Sequence, residues 1–180
     1  MNLTLVDPPV AGSLEEAEDL KKVIQQYHSR VVPERLQDRC DRDMDGMMVE
    51  FCANRGAFIN QMNLKKVMLS TVPLIQKIKH HYMRPRPGTV AKRLGVEFEA
   101  DFLESAQTPS YPSGHTIQAY VCAEYCAIIH PEHRDGLLMI AELVGQSRVD
   151  RGVHFQSDVD YGKLIAYEII DHVFGGFTGQ

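Results

Sequence analysis

From Thr116 to Ile129 the chain carries apolar side chains on almost every face of a helix: Ile117, Ala119, Tyr120, Val121, Cys122, Ala123, Tyr125, Cys126, Ala127, Ile128 and Ile129. A surface helix shows a single apolar stripe, whereas one that is apolar all round must be enclosed by other elements. The stretch therefore predicts a central helix with the rest of the chain wrapped around it. It is too short to cross a bilayer, and no uninterrupted apolar run approaches the roughly 18 residues a span requires.

The flanking sequence supplies the enclosing helices. Ser13-Leu14-Glu15-Glu16 is a capping box that opens a helix running to about Ser29. Pro33 suits the first turn of a second helix, and the apolar stretch Met47–Cys52 follows it. Asn60 or Asn63 caps a longer helix over Leu64 to about Tyr82, bent at Pro73. Gly88 to Glu99 is less regular and holds one short helix. Pro131 starts a helix with Glu132 and Asp135 in its acidic first turn and Leu137, Leu138, Ile140, Ala141 and Val144 as its buried stripe. The last helix runs from about Phe155 to Val173, stopped by Gly175-Gly176. Strand-like alternation is nearly absent, and there is no repeat or internal linker. The expected architecture is a single-domain all-α bundle over residues 1–180, with residues 1–30 as an N-terminal segment and first helix.

With 180 residues and 44% hydrophobic content, the chain has enough for one filled core. Its net charge of −5 and lack of a long basic run argue against a nucleic-acid partner. An anion site would have to come from locally clustered cations. Cys40, Cys52, Cys122 and Cys126 lack metal-ligand spacing and read as buried free thiols. Asp41-Arg42-Asp43-Met44-Asp45-Gly46 resembles half a calcium loop, but its twelfth position would be Cys52 where a glutamate is needed. It reads as a helix start. The N-terminal residues lack a basic region followed by an apolar run, so no secretory signal is expected and the setting is read as cytoplasmic.

Three segments carry chemistry. Pro112-Ser113-Gly114-His115 stands immediately before the central helix, where free backbone N–H groups and the dipole favour an anion. Gly114 permits close backbone approach, Ser113 adds a hydroxyl, and His115 lies in the first turn. In Ser147-Arg148 … His154 … Asp158, the four-residue spacing lets Asp158 take a hydrogen bond from one ring nitrogen of His154, leaving the other as a nucleophile. Arg148 offers a planar fork of donors. The third segment, Lys77 to Pro87, contains lysine, six residues, Arg-Pro twice over: Lys77 with Arg84-Pro85, and Lys79 with Arg86-Pro87. Spacing alone does not choose between them. His80 and His81 diverge on a helix and are poor co-ligands. Each segment by itself has an ordinary explanation as a cap, a surface ion pair or a cationic helix end.

Together, in this order, the three segments resemble the tripartite signature of the type 2 phosphatidic acid phosphatase and vanadium haloperoxidase superfamily. Within it the chain is most similar to bacterial class A non-specific acid phosphatases, through Lys79–Pro87, Ser110–Thr116 and Gly145–Asp160, and more weakly through Pro8–Ser13. The resemblance implies the Lys79–Arg86 register. It implies a phosphate held by Lys79, Arg86, Ser113, Gly114 and Arg148, and catalysis by His154, His115 and Asp158. It further implies a metal-independent acid phosphatase acting on small phosphomonoesters through a phosphohistidine. Such an enzyme needs no cofactor, binds vanadate as an inhibitor and works best at about pH 5 to 7. The competing readings are a vanadate-dependent haloperoxidase, for which vanadate would be the cofactor, and a non-catalytic phosphate-binding helical protein. Homo-oligomerisation is left open. The chain is shorter than typical members, and those are usually exported.

Overall fold

The computed structural model describes residues 3–30 and 32–175. Nine α-helices are found among them: α1 (Leu14–His28), α2 (Glu34–Arg42), α3 (Met44–Ala53), α4 (Gln61–Ser70), α5 (Val72–Tyr82), α6 (Pro87–Leu94), α7 (Gly114–Ile129), α8 (Arg134–Asp150) and α9 (Gln156–Phe174). Short 3-10 turns occupy Glu104–Ala106 and Pro131–His133, and there is no strand among the described residues. The expected central helix is α7. It is buried on nearly all sides and packs chiefly against α8, α9 and α4.

Two clusters of buried side chains hold the helices. The larger surrounds α7 and includes Met48, Leu64, Ile75, Ile117, Leu137 and Ile165. The smaller joins Leu20 and Val23 of α1, Val90 and Ala91 of α6, Val149 of α8, and Phe155 and Val159 at the start of α9. Each large side chain so buried contributes about 1.5–3 kcal/mol, enough to seat α1 and α6 against the α8–α9 turn. One glycine permits the closest approach at the functional end: a Cβ at Gly162 would stand 2.9 Å from the Ser113 carbonyl oxygen and 3.2 Å from Thr116 Cβ. Glycine there lets α9 lie directly against the first turn of α7.

Local signals placed most helix starts. Ser13 accepts the Glu16 N–H at 3.1 Å, although Glu16 reaches back to the Gly12 N–H at 2.7 Å instead of that of Ser13. Asn60 accepts the Asn63 N–H at 3.1 Å and Ser113 caps α7. The expected helix over Leu64–Tyr82 is not bent but broken at Thr71 into α4 and α5. Pro73 has no N–H to continue the ladder, and the Thr71 hydroxyl donates to the Met68 carbonyl at 2.7 Å. Pro131 begins a 3-10 turn, with α8 proper starting three residues later. The stretch Asp41–Gly46 is the junction of α2 and α3, and its carboxylates go three ways: Asp41 to Arg148, Asp43 to Arg39 and Asp45 to Gln61. The four cysteines are free and buried. Gly176 lies outside the described residues. No described helix is long and apolar enough to cross a membrane.

Candidate active site

The C-terminal end of α5, the N-terminus of α7 and the turn before α9 meet around a cavity of about 140 Å³ whose wall includes Lys79, Arg86, Ser105, Gly114, His115 and His154. A broader hollow of about 490 Å³ on the other side of Arg86 has neither histidine nor lysine in its wall. The smaller cavity, with both histidines and Lys79 in its wall, is therefore the candidate site.

The turn between α8 and α9 delivers His154. Gly152 takes φ +69°, a left-handed conformation that suits glycine. The chain then doubles back, so that the Val153 and His154 N–H groups both donate to the Arg148 carbonyl, at 3.2 and 3.3 Å. His154 Nδ1 lies 3.0 Å from Asp158 Oδ2, and Nε2 lies 2.9 Å from an Arg86 guanidinium nitrogen. A carboxylate accepts and a guanidinium donates, so Nδ1 carries the hydrogen and the Nε2 lone pair faces the cavity cations. Burial, then the charges of Arg86, Lys79, Arg148 and His115, hold His154 well below the ordinary histidine value. The ring is thereby kept neutral.

His115 has the complementary arrangement. Its Nε2 sits 3.1 Å from the Asp41 carbonyl oxygen and 3.3 Å from Asp41 Oδ1. Burial and then Arg148 push its pKa down, while Asp41 pulls it up. Burial raises the Asp41 carboxyl, but hydrogen bonds with His115 and Ser105 and the charges of Arg148 and His115 outweigh it and hold Asp41 well below the usual carboxylate range.

The cations stand close together. Lys79 Nζ donates to the Pro109 carbonyl and lies 3.4 Å from that of Ser110. Burial first, then Arg86 and Arg148, push the Lys79 ammonium down to about 7 against the pull of Asp158. Burial brings Arg86 down to about 10; it donates to the Thr108 and Val153 carbonyls, each at 2.8 Å. Arg148 is fully buried one layer behind the cavity wall. It donates to Asp41 and, at 3.1 Å, to Ser105 Oγ, while its Nε has no partner among the described residues. Ser113 is also behind the wall. Its oxygen accepts from Thr116 Oγ1 at 2.8 Å and from the Thr116 N–H at 3.4 Å, so its immediate task is to cap α7.

The two lysine–arginine registers separate cleanly. Lys77 is exposed and Lys79 is 3% exposed beside the cavity. Arg84 is buried away from the cavity and acts as a clamp: it donates to Asp158 Oδ1 at 2.6 Å, Ser157 Oγ at 2.7 Å and Asp19 Oδ2 at 3.0 Å, and lies over the Phe155 ring. Asp158 thus ties the three segments together. Its carboxylate holds Arg84, His154 and the Phe155 N–H (2.9 Å), and its carbonyl accepts the Ser113 N–H at 2.9 Å. Burial pushes the Asp158 carboxyl up; Arg84, the Phe155 N–H, Arg86 and Lys79 pull it back. Asp41 and Ser105 were not legible as site residues, whereas Arg84 stood in the sequence as the alternative arginine of the signature and here supports Asp158. The local pattern around Asp41, half a calcium loop, does not point to this site, and its partners Arg148 and His115 lie 107 and 74 residues away.

Fold and site define an all-helical protein with a cationic, two-histidine pocket at the N-terminus of its central helix. The PAP2 superfamily model matches residues 62–175, and the chain belongs to that superfamily. The non-specific acid phosphatase of Providencia stuartii is 39% identical over 90 residues, 49% of this chain and 35% of that protein. The acid phosphatase of Zymomonas mobilis is 30% identical over 103 residues, 57% of this chain and 39% of that one. The chain therefore spans little more than a third of the length of these relatives. A solved transmembrane PAP2-type phosphatidylglycerolphosphate phosphatase from Bacillus subtilis shares the fold at TM-score 0.60, over 91% of this chain and 86% of that one, with 21% identity.

Proposed function

We propose that this chain is a metal-independent acid phosphatase that hydrolyses small phosphomonoesters through a phosphohistidine on His154. The observation that carries the reading is the His154 ring: its Nδ1 is engaged by Asp158, while its Nε2 lone pair is directed toward the cavity that Lys79 and Arg86 line. A neutral imidazole aimed into a ring of cations is suited to attack on a phosphate that those cations hold. The acid phosphatase relatives support the reaction class.

In the proposed reaction the phosphate oxygens are bound by Lys79, Arg86 and the N–H groups at the start of α7, and Arg86 transfers its donor from His154 Nε2 to the phosphate. Arg148 and Ser113 complete the cradle as its nearest supports. Charge on the equatorial oxygens is stabilised by fixed cations, the task a metal ion performs elsewhere. Nε2 forms a bond to phosphorus as the ester P–O bond breaks, and His115 gives its proton to the departing oxygen. His115 then takes a proton from water, which attacks phosphorus and breaks the N–P bond.

The test is rapid quench with radiolabelled substrate. The wild type should accumulate an acid-labile, base-stable phosphoenzyme, and His154→Ala should form none and lose turnover of p-nitrophenyl phosphate. Vanadate should inhibit and EDTA should leave the rate unchanged. Full turnover by His154→Ala would overturn the nucleophile, and an EDTA loss restored by zinc or magnesium would overturn metal independence.

A further inference from the structure

Asp158 sets the tautomer of the proposed nucleophile; the corresponding question for His115 leads to Asp41, near the end of α2. Both Asp41 atoms facing His115 Nε2, the carbonyl oxygen at 3.1 Å and carboxylate Oδ1 at 3.3 Å, are acceptors. Nε2 must therefore keep its hydrogen in either charge state, and Nδ1 is the nitrogen that gives and takes a proton. Asp41 is itself fixed in place. Oδ1 accepts from the buried Arg148 and from Ser105 Oγ at 2.6 Å, and Arg148 donates to the same Ser105 oxygen. Cations stand around His115: Arg148 from α8, and Lys79 from α5 and Arg86 ahead of α6 in the same cavity wall, where the neutral His154 ring ahead of α9 also lies. The positive charges, Arg148 first, disfavour the imidazolium. Asp158 is committed to Arg84 and His154, which leaves Asp41 as the carboxylate that directly opposes them at His115.

We propose that Asp41 is the positioning residue of the acid–base histidine, fixing the His115 tautomer and sustaining its protonated form so that Nδ1 can protonate the leaving group. The pocket would then hold two histidine–aspartate pairs of opposite task, Asp158 presenting a lone pair at Nε2 of His154 and Asp41 presenting a proton at Nδ1 of His115. The inference rests on the phosphomonoesterase reading above. A different role is open to Asp41 on the same contacts, that of holding Arg148 for phosphate binding, and the two roles predict different kinetics.

Asp41→Asn is compared with the wild type on an alkyl phosphate, whose alkoxide needs a proton to leave, and on 2,4-dinitrophenyl phosphate, whose phenolate does not. Asp41→Asn should lower kcat on the alkyl ester about 100-fold, the scale of general acid catalysis, with a loss at least tenfold smaller on the dinitrophenyl ester. The alkaline limb of kcat/KM should move to lower pH. In a His115→Ala background, Asp41→Asn should cost no more than about threefold further on the alkyl ester, because interacting residues are not additive. Equal losses on both esters, carried by KM, would assign Asp41 to Arg148 and overturn the proposal, as would unchanged kinetics. Should Asp41→Asn fail to fold, nitrogen-15 NMR of the wild type decides: His115 should keep the Nε2 hydrogen throughout its titration, and loss of that hydrogen overturns the pairing. Failure of the phosphatase reading is separate, since it appears as a wild type that hydrolyses neither ester, and the NMR result stands without turnover.

Discussion

Replacing Asp158 by asparagine conserves volume and removes one charge from the point where the three segments meet. The carboxylate accepts three hydrogen bonds, from Arg84 on one oxygen and from the Phe155 N–H and His154 Nδ1 on the other. An asparagine has one oxygen and one NH2, so one of those faces must turn from acceptor to donor. If the oxygen stays with Arg84, the NH2 faces His154 and forces its hydrogen onto Nε2, abolishing the lone pair and setting it against Arg86. If the NH2 turns to Arg84, a donor faces a buried guanidinium. In either case Arg84 keeps only the Asp19 carboxylate as a formal counter-charge among these partners. Removing one member of a buried charged pair costs about 3–5 kcal/mol. For a domain of this size that corresponds to a fall in Tm of roughly 6–20 °C. Activity should fall further than stability does, by roughly 10³- to 10⁴-fold in kcat, the scale seen when a catalytic histidine is held in the wrong tautomer. Thermal melts followed by circular dichroism, and p-nitrophenyl phosphate kinetics well below the midpoint, separate the two effects. A folded Asp158→Asn variant with kcat within tenfold of wild type would refute the tautomer argument.

Two further outcomes follow from burial and charge. Lys79→Ala should raise KM by roughly 10- to 100-fold, the loss of one charge-assisted hydrogen bond to phosphate, while Lys77→Ala, at an exposed position, should stay within about twofold; the reverse order in steady-state kinetics would overturn the register. On the proposed mechanism, kcat/KM of the free enzyme requires His154 neutral and His115 protonated. Both rings are held below the ordinary histidine value, so the acid limb set by His154 lies well below it, and the limb set by His115 is lost as pH rises past its own lowered value. Lys79, at about 7, loses its charge over the same rise, so kcat/KM should decline through neutrality. A profile that climbs steadily to alkaline pH would contradict this.

Local chemistry along the chain was enough to lay out most helices and to mark the histidines. The capping side chains of Ser13, Asn60 and Ser113, the all-round apolar surface of α7 and the four-residue step from His154 to Asp158 act over one or two turns, where sequence spacing and spatial distance are nearly the same thing. The break at Thr71 was harder to read, because a proline bends or ends a helix according to how the freed carbonyls are satisfied. What tertiary structure decided was the use of each charge. Lys77 and Lys79 differ by two positions in the chain and by exposure against burial in the fold, a distinction spacing could not make and the family resemblance had to supply. Arg84, one step of the same pattern away from Arg86, became the clamp on Asp158 and Asp19. Asp41 sits in a run of alternating acidic residues that looks like a half calcium loop, yet it turns inward to His115 and Arg148. Its partners come from helices far along the chain, and the low-dielectric interior that gives such contacts their strength exists only once those helices have packed.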